Sequence, residues 1–150
     1  MTKIIYSNSD GTVSVIHPTG DVELAKKDVP SGTAYEVVED NILPTDRIFR
    51  NSWTGNNIGI ATATTTITED ISKARELHKT NIRNARTPKL AALDVEFQQA
   101  QETSAGITTI VAKKQALRDA PAASGIATAA NTTELKAQWD TSILGTSPYS

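Results

Sequence analysis

The chain has 150 residues, of which 38 % are apolar, with two Phe, two Trp, three Tyr, no Cys and a net charge of −2. Length allows one domain or two very small ones, and the shortage of aromatics leaves little for a large core, which implies reliance on a partner or oligomer. Absent cysteines exclude disulfides, thiolate metal sites and Cys nucleophiles, while the mild acidity argues against a nucleic-acid or membrane partner.

The start, "MTKIIYSNSD", lacks the layout of a secretory signal. "KIIYS" and "TVSVIHP" read as short strands, joined through Asp10-Gly11, because Gly accepts the positive φ that tight hairpins need. Asp21 is placed to cap a short helix running to Lys27, with Val22 and Leu24 inward. Pro30 and Gly32 end that piece, and "AYEVVE" follows as a third strand. Pro44 opens an extended segment leading into "DRIFRNSW", Asp46–Trp53. As a strand, this would put Phe49 and Trp53 on one face and Ile48 and Arg50 on the other. With Tyr35, those two aromatics are expected to form the core of the first unit, leaving Arg47 and Arg50 at its rim.

The uncharged run Asn51–Thr68 is too polar to cross a bilayer, and residues 55–68 read as a polar linker. Thr66 and Glu69 stand at capping-box spacing and predict a helix start. Ile71, His78, Ile82 and Ala85 give a helical stripe. Thr87-Pro88 then predicts a second helix carrying Leu90, Leu93, Phe97 and Ala100. "TSAG" breaks the pattern before a third helix lined by Ile107, Ile110, Val111 and Leu117 and ending near Pro121. A short helix with Leu135 and Trp139 completes the chain. The expected fold class is therefore α+β: a small strand and hairpin module over 1–54, the linker, and a helical hairpin or coiled-coil region over 69–150.

No catalytic signature is present. His17 and His78 lack companion ligands at metal-binding spacing, and neither a G-x-S-x-G elbow nor a Gly-rich phosphate loop occurs. Both histidines are read as structural or incidental, and the chain as a protein that is not an enzyme, with no cofactor, metal or small-molecule substrate. Residues 1–67 hold five basic and eight acidic side chains, against ten and nine over 68–150. Arg75, Lys79, Arg83 and Arg86 share one helix face, which reads either as a solvated surface or as a place to receive a carboxylate or phosphate. Since Trp, Tyr and Arg are favoured at protein interfaces, the partner-contact candidates are Phe49, Arg50 and Trp53, then Arg75, Lys79 and Arg83.

Two segments carry a resemblance. "KDVPSGTAYEVVEDNILPTDRIFRNSW" (Lys27–Trp53) is similar to a module of tail-region proteins of tailed bacteriophages. Its elements stand here as Asp28-Val29-Pro30, Gly32, Ala34-Tyr35, Pro44-Thr45-Asp46-Arg47, Phe49-Arg50 and Trp53. The region Ile82–Pro121, ending Gln115-Ala116-Leu117-Arg118-Asp119-Ala120-Pro121, resembles the helical part of phage tail fibre assembly proteins. The Trp-Thr-Gln tract many of those proteins carry between their helices is absent. What the resemblance implies is a non-enzymatic chaperone that binds the C-terminal part of a trimeric tail fibre in the host cytoplasm. Its fate would be release, or retention on the virion as a tip cap. The alternative is a permanent virion subunit of baseplate or fibre-adaptor type. Interleaved β-rich fibres close long-range contacts slowly and expose strand edges meanwhile, which gives such a helper its task.

Overall fold

The computed structural model describes residues 1–149, and the chain divides into two compact units, Met1–Ala74 and a second beginning at Arg75. Among the described residues every strand lies before residue 70 and every α-helix but one short turn after it, the segregation that defines an α+β fold.

In the first unit β1 (Thr2–Ser7) lies between β2 (Val13–Ile16) and β3 (Tyr35–Glu39), antiparallel to both. Successive residues of a strand point to opposite faces, so the full burial of both Ile4 and Ile5 means that β1 is covered on both sides of the sheet. The β1–β2 loop closes with Asn8 N–H on the Thr12 carbonyl at 2.7 Å, and Gly11 takes φ 78°. Asp21 caps α1 (Val22–Ala25) by accepting from Glu23 N–H at 2.9 Å, but Leu24 is 69 % exposed, so the inward assignment of Leu24 fails. One helical turn followed by a 3₁₀ turn over Lys26–Asp28 is too short to press a full stripe onto the sheet.

Residues 55–68 do not run as a bare linker. β4 (Trp53–Asn56) and β5 (Thr66–Glu69) pair antiparallel, Trp53 opposite Glu69 and Asn56 opposite Thr66. Their loop is tied to β3, because the Glu36 carboxylate accepts from Gly59 N–H at 3.3 Å and from the Thr65 hydroxyl. Ile58 and Ile67 thereby join Ile5, Val13, Val38, Leu43 and Trp53 in one core. Gly55 lets them close: a Cβ there would meet Ile58 Cδ1 at 2.5 Å and Ile67 Cδ1 and Val13 Cγ2 at 3.0 Å.

The predicted capping box at Thr66–Glu69 is a strand, and the cap sits four residues after Thr66, at Asp70. Asp70 Oδ1 accepts from Ser72 N–H at 2.8 Å and Lys73 N–H at 3.2 Å, opening α2 (Ile71–Glu102). This single helix runs through Pro88, where sequence predicted a new start. In the second unit α3 (Thr108–Asp119) folds back along it, with Arg86 reaching Leu117 and Asp94 ion-paired to Lys114. The result is the expected helical hairpin. Only Leu117 of α3 is buried, with Val111 exposed, so the coiled-coil alternative gains no support from this packing. Three short helices, α4 (Ser124–Thr128), α5 (Thr132–Lys136) and α6 (Thr141–Leu144), bring Ile126, Leu135, Trp139 and Leu144 inside. Asn131 and Asp140 cap the last two.

Candidate functional site

The Asp46–Trp53 segment is a run of turns, which overturns the strand reading. Asp46 Oδ1 accepts from Ile48 N–H at 3.0 Å, and Arg50 N–H reaches the Arg47 carbonyl at 3.2 Å. Ser52, fully buried, gives both its N–H and its hydroxyl to the Phe49 carbonyl, each at 2.7 Å. Asp70 N–H then binds the Ser52 carbonyl at 2.9 Å, fastening the turn to the start of α2. Phe49 is 0 % and Trp53 2 % exposed. Burial of each contributes about 1.5–3 kcal/mol, and neither offers surface to a partner directly. Trp53 Nε1 is buried and, among the described residues, has no hydrogen-bond partner. Tyr35, expected in the core beside them, is 38 % exposed.

What this anchored turn presents is charge. Arg47 and Arg50 are exposed, and with His17 and Val15 they border a cleft of about 230 Å³ whose wall includes Trp53. Arg47 Nη2 pairs with Asp40 Oδ1 at 3.0 Å, and the guanidinium hydrogen bond holds the Asp40 carboxyl below its usual pKa. Loss of water, then the cations of Lys3 and Arg47, with Arg50 adding to them and Asp40 opposing, hold His17 below its ordinary pKa. A histidine read from sequence as incidental thus sits in a positive local field.

In the second unit the basic residues of α2 separate. Arg75 is half-buried, its Nη2 donating to the Ala129 carbonyl at 2.8 Å, which makes it a structural tie. Lys79 pairs with Glu76 at 2.7 Å. Arg83 is exposed. Arg86 Nη1 donates to the carbonyls of Leu117 and Arg118 at 3.3 and 2.8 Å, satisfying the end of α3. Lys79, Arg83 and Arg86 line one cleft of about 390 Å³ together with Arg118, which sequence reasoning left out because it lies on another helix. The structure brings Arg50 to Trp53, and Lys79 to Arg83; it does not add Arg75 to the second group.

His78, in the same unit, is wholly buried, with Nδ1 2.6 Å from the Tyr149 hydroxyl and the ring stacked on Tyr149 at 5.4 Å. Among the described residues no group of three His, Cys, Asp or Glu could hold a metal ion. No helix among them is long and apolar enough to cross a membrane. Compared with known protein families, curated proteins and solved structures, the chain matches none.

Proposed function

We propose that the chain is a binding protein without catalytic activity that assists assembly of a trimeric tail fibre in a tailed phage or prophage. It acts in the host cytoplasm on the C-terminal part of the fibre. The observation carrying this reading is the Asp46–Trp53 turn, the most specific part of the resemblance. Its two aromatics lock it into the core, and Arg47 and Arg50 stand outward beside a shallow cleft. Planar, always-charged guanidinium groups on a rigid turn suit recognition of carboxylates and carbonyls on a partner. Preferential binding of the folded trimer stabilises it by mass action.

The test is co-expression with the long fibre gene of the same genome, scoring soluble SDS-resistant trimer and co-purification. Trimer that depends on this chain is expected, and Arg50→Ala is expected to weaken co-purification while leaving this protein's own far-UV circular dichroism unchanged. A fibre that trimerises equally well alone and forms no complex overturns the chaperone reading and favours a separate virion subunit. That subunit would be found at fixed stoichiometry in purified particles.

A further inference from the structure

The cleft of the second unit supports an inference that stands apart from the tail-fibre reading. It collects cations from two helices, Lys79, Arg83 and Arg86 of α2 and Arg118 of α3, over an apolar floor that includes Pro121 and Ile126. Those four side chains are not equivalent. Arg86 is committed to the last carbonyls of α3, and Lys79 to Glu76. Arg83 and Arg118 are exposed, and among the described residues neither side chain makes a hydrogen bond or ion pair. Among the described residues the lining holds four cations and no carboxylate, with Glu76 paired to Lys79 at 2.7 Å, so the cleft carries excess positive charge in a protein whose net charge is −2.

We propose that this cleft binds an acidic segment of a protein partner. Asp or Glu side chains pair with Arg83 and Arg118, and an intervening aliphatic side chain rests on the exposed methyl groups of Ala122, Ala123 and Ala127. Charge complementarity chooses the sign of the occupant, and the apolar floor favours a peptide over a nucleic acid. Single-stranded nucleic acid uses aromatic platforms for stacking, and among the described residues no aromatic lines the cleft. Its volume lies within the range of sites that hold small ligands or short segments, about 300–1,000 Å³.

Fluorescence anisotropy with a short labelled peptide alternating Glu and Leu tests this, with a Gln-for-Glu peptide as control. Binding of the Glu peptide alone is expected, weakening as salt is raised. Arg83→Ala and Arg118→Ala are each expected to lower affinity about two- to fivefold, as for exposed ion pairs. The double charge reversal, Arg83→Glu with Arg118→Glu, is expected to abolish binding, and Lys27→Ala, at an exposed cation of the first unit, to leave it unchanged. Amide shifts in ¹⁵N spectra should concentrate at Arg83, Arg118 and Ala122–Ala127. Equal affinity for the Gln peptide, binding that survives charge reversal, or preference for oligothymidylate overturns the proposal. Because both arginines are exposed and unbonded, these variants keep the fold, which circular dichroism checks.

Discussion

At the scale of single residues, His78 has the most altered chemistry. Its ring meets Trp139 edge-on at 6.2 Å and Tyr149 face-on, and its Nε2 is buried with no hydrogen-bond partner among the described residues. Burial pushes its pKa down to about 4. An unfolded imidazole takes up its proton near 6.5, so between those values the unfolded chain binds a proton that the folded chain refuses. Stability is therefore expected to fall as pH drops from about 6.5 to about 4, by roughly 3 kcal/mol at most. Below that window this group adds no further loss. Urea unfolding across the window checks it, and His78→Gln should flatten the slope whatever its own stability. Arg75 and Arg83 make a second contrast. Arg75→Ala takes a donor from the Ala129 carbonyl and is expected to cost about 1–3 kcal/mol, whereas exposed Arg83→Ala should stay within about 0.5 kcal/mol. Equal losses would contradict the assignment of Arg75 as structural. From sequence the two looked alike, because spacing alone puts them on one helix face; Ala129 lies too far along the chain to be anticipated.

At the scale of elements, α2 shows tertiary packing overriding a local signal. Thr87-Pro88 is a good helix start, and Pro88 cannot donate to the carbonyl of the preceding turn. The helix nevertheless continues, held by Arg86 on one side of Pro88 and by the Asp94–Lys114 pair on the other. Thr87 adds its hydroxyl to the Arg83 carbonyl at 2.8 Å. Pro88 is exposed, so Pro88→Ala should raise stability, by up to about 3 kcal/mol, seen as a higher Tm. The β4–β5 hairpin gives the opposite prediction. Gly55→Ala would drive a methyl into Ile58, Ile67 and Val13 and should cost about 1–3 kcal/mol. Composition disguised this hairpin, since its Gly, Asn and Thr content is that of a linker, and of its three isoleucines Ile58 and Ile67 are buried while Ile60 is exposed.

At the scale of the whole molecule, the two units each hold one tryptophan, Trp53 in the first and Trp139 in the second. Gly55→Ala combined with Trp139→Phe should lower the unfolding midpoint reported by Trp53. Combined with Trp53→Phe, it should move the midpoint reported by Trp139 less. Equal shifts would mean that the units unfold as one. Sequence by itself determined the α+β class, the strands of the first sheet, the turn at Gly11, the cap at Asp21, the burial of Phe49 and Trp53, and the helical second half. Each is written in local terms, as alternation, turn chemistry, or an aromatic with nowhere else to go. Tertiary structure alone decided that 55–68 would pair, that α2 would pass through Pro88, and which arginines would be tied or left outward. Those outcomes depend on partners distant in the chain, Glu36 for the hairpin loop, Lys114 for the helix, Ala129 and Leu117 for the arginines. Local periodicity carries no information about which of them will meet.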